Sequence, residues 1–409
     1  MTIKDADIAR ALSPVLVGDP AAVAARLHAL PDGVHCAELP NGARVWVVSR
    51  YDDVKALLAD PGLALDKRAS RAGYQGFGLP PALEANLLNL DGADHARLRR
   101  LVSGAFTARR VDALRDRIQD TSDALIDELS KGLIDETSDG LPDSGQVDLL
   151  ETYAAPLPIA VICDLLGVPP EQGATLRSCT QVLLAPGKFG PADLAVTLGR
   201  IVKLLAELIA AKRDAPADDL LSAMIAARDG DDRFSEDELL SLAFLILFAG
   251  YENSVHLITA ATVRLLTHPE QAAALRAETS AHTPAVQQLM EEFLRYDQPS
   301  TAAIRRFPLD DIRIGDTVIP AGDTVLLAHS AAHRDPTAGG GHLAFGHGPH
   351  YCLGAPLARL ETRIALWTLF HRLPDLALAV PEQDLAWKVD HRQHVLTALP
   401  VTLTAQPVR

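Results

Sequence analysis

Only four cysteines, Cys36, Cys163, Cys179 and Cys352, are scattered over the 409 residues. That density excludes a disulfide-stapled scaffold, and without a CxxC pair it gives no zinc ribbon. Basic residues are also scarce: 38 Lys plus Arg against 53 Asp plus Glu leave a net charge of -15. Such a balance excludes broad nucleic-acid binding, which needs a basic footprint. Long apolar runs are missing too. The longest, Leu239 to Tyr251, is interrupted by Ser241, stopped by Glu252 and Asn253, and falls short of the ~20 residues that cross a bilayer. The stretch MTIKDADIAR lacks the basic-then-apolar build of a signal peptide. No repeat of solenoid period and no domain-sized shift in composition is present. These absences point to a soluble, cytoplasmic protein. What the chain does have is apolar mass, 48% hydrophobic against 22% charged, which is enough to bury a large core and to exclude disorder throughout.

The apolar pattern is mostly helical. Tyr51 to Ala59 reads as a short helix ended by Asp60-Pro61-Gly62, and before it Asn41-Gly42 turns into a strand, Ala43 to Val48. Residues 66–90, broken by Gly73, Gly76, Gly78, Pro80 and Pro81, read as a long functional loop. Helical spacing returns from His95 to Phe106, then over about 108–131, 151–167 and 192–213. Ser235 with Glu238 forms a capping-box signature that opens a long helix reaching Leu266. Its first half is apolar nearly all round, which marks a buried helix. Thr283-Pro284 opens another helix, and Pro299 follows its end. Ile312 to Leu327, punctuated by Gly315-Asp316 and Pro320-Ala321-Gly322, reads as a small β-meander. The expected class is mainly α: a single large helical domain over residues 1–409 with small β-sheets.

Chemistry concentrates in Phe345-Gly346-His347-Gly348-Pro349-His350-Tyr351-Cys352-Leu353-Gly354, ahead of a helix-forming stretch from Ala355. Three readings compete. A lone cysteine is most often a small buried hydrophobe. His342, His347, His350 and Cys352 make a candidate zinc set, although their spacing matches no common finger or ribbon. The third reading is a metal-binding thiolate. Glycines let backbone N–H groups approach its sulfur, and the positive N-terminus of the next helix favours its charge.

The context of the cysteine decides among them, because the segment resembles the haem-binding loop of the cytochromes P450, F-G-x-G-x-H-x-C-x-G, at every specified position. The resemblance implies the P450 fold, with a long central helix over haem b. It makes Cys352 the axial thiolate, with Phe345 packed beneath it and Gly346 and Gly354 bracketing the loop. Such a thiolate pushes electron density onto iron and favours O–O cleavage. His95-Ala96-Arg97-Leu98-Arg99 is similar to the H-x-x-x-R helix that grips haem propionates. Arg306, with Arg305 one residue away, and His350 fall where further propionate contacts are implied. Glu292-Phe293-Leu294-Arg295 resembles the E-x-x-R pair, implying a buried structural role in support of the loop. Ala249-Gly250-Tyr251-Glu252-Asn253-Ser254 resembles the A-G-x-(E/D)-T-(T/S) stretch of the oxygen-activating helix. There Gly250 would kink the helix to open a groove, and Glu252, Asn253 and Ser254 would serve proton delivery.

Two departures stand out. Asn253 replaces the usual threonine, and an amide relays a proton less readily than a hydroxyl. Residues 337–344 are fewer than the family's usual meander, which supplies a third basic partner to the E-x-x-R pair; Arg334 or His342 are the candidate substitutes. The resemblance further implies a monooxygenase that hydroxylates or epoxidises a medium-sized hydrophobic substrate. Electrons would come from NAD(P)H through a ferredoxin or flavodoxin and its reductase, to a monomer. Arg97, Arg100, Arg109, Arg110, Arg359 and Arg363 are the candidate docking charges. The pocket is expected from residues 66–90, 176–198, 299–304 and Ala243 to Ala249. Oxidative coupling or dehydrogenation is the alternative, for which Asn253 speaks. A non-enzymatic haem sensor or carrier is more remote.

Overall fold

Ser235 and Glu238 form the capping box that their spacing predicts. The Ser235 N–H donates to Glu238 Oε2 at 2.7 Å, and the Glu238 N–H donates to Ser235 Oγ at 3.2 Å. From this start the chain runs without a break as one α-helix, Glu236–Thr267. In this computed structural model, residues 4–74, 79–135, 146–184, 190–228, 233–339 and 341–403 are described. They belong to two compact units. One comprises Met1–Arg100, Leu294–Cys352 and Lys388–Val395; the other comprises Leu101–Phe293, Leu353–Trp387 and Leu396–Arg409.

The first unit is built on a three-stranded sheet. Val34–Glu38 runs antiparallel to Arg44–Val48, and the turn between them uses Gly42 at φ 78°. The third strand corrects the expected meander. Ile312–Ile314 and Thr317–Ile319 do pair as a hairpin, but Thr324–Leu327 leaves them and lies parallel to Arg44–Val48. A long-range bond accompanies that choice, since Trp46 Nε1 donates to Asp323 Oδ2 at 3.0 Å in a buried setting. The helix Tyr51–Ala59 follows the sheet, and its first N–H donates to Asp335 Oδ2 at 3.0 Å. Val48, Val54, Leu58, Leu327 and Leu343 share one core cluster. Leu343 thereby ties the approach to the cysteine loop into the apolar interior.

The second unit is almost all helix. The Glu236–Thr267 helix packs on Pro156–Leu166 and on Ala355–Arg372, which also packs on Arg115–Asp135. Polar pins fix these contacts: the Tyr153 hydroxyl donates to the Ala365 carbonyl at 2.8 Å, and Gln119 Nε2 donates to Thr368 Oγ1 at 2.9 Å. The expected helix near 108–131 is two, Ala108–Ala113 and Arg115–Asp135. A small sheet orders Gln146–Asp148, Pro400–Thr402 and Ala377–Leu378. By length and composition the Glu236–Thr267 helix could cross a membrane, but 56% of its most apolar window is buried within the protein, as in the core helix of a globular fold.

Candidate active site

In the first unit the cysteine loop owes its shape to two glycines. Gly346 and Gly348 have φ of 75° and 72°, a left-handed conformation that L side chains adopt only at a cost. The loop closes on itself: the Cys352 N–H donates to the Phe345 carbonyl at 2.8 Å, and the Gly346 N–H donates to the Leu343 carbonyl at 2.8 Å. Phe345 is half-buried with its ring 6.3 Å from that of Tyr351, and Cys352 is exposed. Gly354 has φ of -78° and caps the helix Ala355–Arg372. A Cβ on Gly348 would lie 2.7 Å from Ala59 Cα. Gly348→Ala is therefore expected to lower the unfolding free energy by about 2 kcal/mol or more, since the left-handed backbone alone costs about 1–2. Denaturant titration of the purified protein measures this.

Around the loop lies a cluster of basic residues, two of them buried and two half-buried. His95 is 3% exposed, and its ring centroid stands 4.0 Å from that of His350. Burial, with His350 and Arg99 nearby, pushes His95 down to about 4, so it is neutral at pH 7. Its Nε2 has no hydrogen-bond partner among the described residues. Arg306 is 4% exposed, and burial pushes its guanidinium down to about 10. Its Nη1 donates to the Leu63 carbonyl at 3.4 Å, while Nε is unpartnered among the described residues. Arg99, also depressed by burial, lies within electrostatic reach of Cys352.

The one carboxylate of the cluster is Asp91, which accepts from the Leu65 and Asp66 N–H groups at 2.8 and 2.9 Å and pairs with His350 Nε2 at 3.2 Å. Burial works against its charge, but the bonds from His350 and the backbone outweigh it and hold it below the usual carboxylate range. One buried and one half-buried guanidinium group and an orphaned imidazole nitrogen thus share, among the described residues, one carboxylate that is already engaged. That is a site for a dianion, and the two propionates of haem fit it beside an exposed thiol. Arg305, the neighbour of Arg306, is less buried: it stacks on Tyr74, 5.0 Å from the ring centroid, and reaches Asn89 Oδ1 at 3.4 Å. Among the described residues no three His, Cys, Asp or Glu converge to hold a metal ion, so the zinc set is not assembled.

The expected support of the loop is corrected in part. Glu292 is exposed rather than buried, although Phe293 and Leu294 on the same turn of the helix Pro284–Tyr296 are buried. Arg295 is half-buried, and its Nε and Nη2 both donate to the His333 carbonyl at 3.2 Å. Arg334 donates to the Tyr296 and Ser330 carbonyls at 2.9 and 3.1 Å.

In the second unit the Glu236–Thr267 helix exposes Ala249 and Asn253, one turn apart on one face, keeps Gly250 and Glu252 half-buried, and buries Ser254. Gly250 also has a packing reason to be small. A Cβ there would stand 2.7 Å from Ile162 Cδ1, so the glycine admits close packing of Pro156–Leu166 while the helix continues unbroken. Ser254 hydrogen-bonds the carboxyl of Glu361, a residue absent from the sequence-based site. Glu361 is 2% exposed. Burial pushes it up to about 8, although Ser254 pulls the other way, and its Oε1 has no partner among the described residues. The signal was present in the sequence, because Glu361 falls on the same helical face as Leu357 and Ile364, four before and three after. Of the expected pocket, residues 75–78 and 185–189 lie outside the described residues.

The chain is similar to known proteins. A family model for cytochrome P450 matches residues 200–338. The chain is 41% identical over 406 residues to the cytochrome P450 monooxygenase PikC of Streptomyces venezuelae, covering 96% of this chain and 92% of that protein. It is 38% identical over 384 residues to 6-deoxyerythronolide B hydroxylase of Saccharopolyspora erythraea, covering 88% and 91%. The ligand-free structure of the P450 monooxygenase TamI superposes with a TM-score of 0.82 at 38% identity, covering 99% of this chain and 94% of TamI. With relatives this similar over nearly its whole length, and with a mainly helical fold to match, the chain belongs to the cytochromes P450, the haem-thiolate monooxygenases.

Proposed function

We propose that this chain hydroxylates or epoxidises a medium-sized hydrophobic natural product of the macrolide or polyketide kind, acting as one catalytic domain over residues 1–409. The observation that carries the reading is the cluster of His95, Arg99, Arg306 and His350 around the Cys352 loop, two guanidinium groups beside two imidazoles. Relatives named for 6-deoxyerythronolide B and mycinamicin IV support the substrate class. Bound haem supplies the iron at which dioxygen is reduced by two electrons and two protons, one oxygen entering the substrate and the other leaving as water.

The residues of this chain do the rest. Cys352 would hold the iron, and the cluster would hold the propionates. Ala249 and Asn253 form the exposed face of the long helix. Behind them the Ser254–Glu361 pair keeps a proton at neutral pH, which offsets the loss of the usual hydroxyl at Asn253. Glu252, one residue before Asn253, is the carboxyl of that helix turn itself. The test is turnover under isotopically labelled dioxygen. A product heavier by one labelled oxygen atom is expected; a coupled or dehydrogenated product without label would overturn the reading.

Electrons would arrive in the cytoplasm from a ferredoxin or flavodoxin and its reductase, to a monomeric enzyme. Of the candidate docking charges, Arg100 is exposed, whereas Arg359 is held bidentately by Glu291 at 2.6 and 3.0 Å. Arg100→Glu should therefore raise the KM for an acidic ferredoxin about threefold to tenfold at low salt, and Arg359→Glu by less. Equal effects, or none, would remove Arg100 from the docking surface.

A further inference from the structure

His333 stands between the turn that carries Arg295 and the start of the cysteine loop, and both ends of its ring are used. Nδ1 lies 2.9 Å from the Arg295 carbonyl; the Gln298 amide nitrogen, 3.0 Å away, is a donor and makes no bond to a protonated Nδ1. At the other end the Leu343 N–H donates to Nε2 at 2.6 Å. A backbone N–H can only donate, so Nε2 is the unprotonated nitrogen and Nδ1 carries the hydrogen that faces the Arg295 carbonyl. Only the neutral ring satisfies both ends. Complete burial, with the His329 ring stacked 6.0 Å away, pushes His333 down to about 2 and keeps it neutral.

The tie is reciprocal. The Arg295 side chain donates to the His333 carbonyl at 3.2 Å while the His333 ring bonds the Arg295 carbonyl. Beyond it, the Leu343 carbonyl accepts the Gly346 N–H at 2.8 Å, and the Phe345 carbonyl accepts the Cys352 N–H at 2.8 Å. Only nine residues separate His333 from Leu343 in the chain, the segment that is shorter than the family's meander. The imidazole spans that interval directly.

We propose that His333 is the positioning residue of the Cys352 loop. Its neutral imidazole takes over the bracing that a longer meander would give, and holds in place the loop that carries the Cys352 sulfur. Arg334, which donates to the Tyr296 carbonyl at 2.9 Å, and His342, which accepts the Ala344 N–H at 3.2 Å, lie beside this tie. This rests on Cys352 being the haem ligand.

The test compares His333→Gln, His333→Asn and His333→Phe in the full-length haem protein. The readouts are the Soret position of the reduced carbon monoxide complex, amide hydrogen exchange at Leu343, and the unfolding midpoint. A Gln side chain places an acceptor oxygen where Nε2 stands. An Asn reaches only the place of Nδ1 and leaves the Leu343 N–H without an acceptor.

Gln is expected to keep the red-shifted thiolate band. Asn is expected to lose that band in at least about half of the molecules and to speed exchange at Leu343 about tenfold or more, the effect of one unsatisfied buried donor. Phe should behave as Asn does, or fail to fold, and the Gln–Asn pair then decides. Retention of the band by Asn would overturn the proposal, as would equal loss in Gln and Asn in step with the unfolding midpoint. A wild-type protein without the band, or a band that survives Cys352→Ser, would instead overturn the ligand assignment itself.

Discussion

Cys352→Ser is expected to abolish the red-shifted Soret band of the reduced carbon monoxide complex while leaving haem in the protein. A serine hydroxyl stays protonated where a thiol ionises, so the charge donated to iron is lost. The cluster that would grip the propionates is untouched, because His95, Arg99 and Arg306 sit on other segments of the chain. Haem content should therefore fall much less than activity. Substrate oxidation should drop by about a thousandfold or more, the loss of roughly 4 kcal/mol of transition-state stabilisation. Haem quantitation beside product formation separates the two. If the variant keeps the band, another residue holds the iron and the assignment of the loop fails.

Glu361→Gln is expected to make the protein more stable and less effective. The folded carboxyl keeps its proton up to about pH 8, whereas an unfolded glutamate loses it near ~4.3. Below the unfolded value both states are protonated and Glu361 imposes no penalty. As pH rises from there, the unfolded state releases a proton that the folded state retains. Stability then declines by up to about 1.4 kcal/mol per pH unit until the folded group ionises. Glutamine has no proton to release, so the variant's stability should exceed that of the parent by on the order of 2 kcal/mol at pH 7.5 and match it near pH 4.5. Product formed per electron pair should meanwhile fall about tenfold to a hundredfold, with peroxide made in its place, because an amide cannot supply the proton. Urea titrations at the two pH values decide the first part; parallel curves would show that Glu361 is not held protonated by its burial.

The cysteine loop was legible because it is local. Gly346 and Gly348 adopt the left-handed backbone that their residue type permits, and the bond from the Cys352 N–H to Phe345 joins residues seven apart in one segment. The capping box at Ser235 and the helix Tyr51–Ala59 were legible for the same reason: cap chemistry and a turn cluster sit within a few residues of the element they bound. Where a feature depended on a distant partner, the reading went astray. The contact of Gly250 with Ile162 was not foreseen, and Thr324–Leu327 pairs with Arg44–Val48 rather than with its sequence neighbours. The outward face of Glu292 was likewise hidden, because i, i+3 spacing says that two charges share a helix face without saying what covers it.

The amino-acid sequence by itself determined the chemistry of this protein: one cysteine in a glycine-shaped loop, the basic residues that suit a dianion, and a long apolar helix. Each of these is written in residue type and short-range spacing. Only the tertiary structure decided which groups lie in the dark. It set Glu361 against Ser254 and pushed its carboxyl up to about 8, orphaned His95 Nε2 and Arg306 Nε, and threaded His333 between Arg295 and Leu343. Burial and long-range hydrogen bonds come from segments far apart in the chain, and their cost or gain is set by the surrounding dielectric, which no local pattern records.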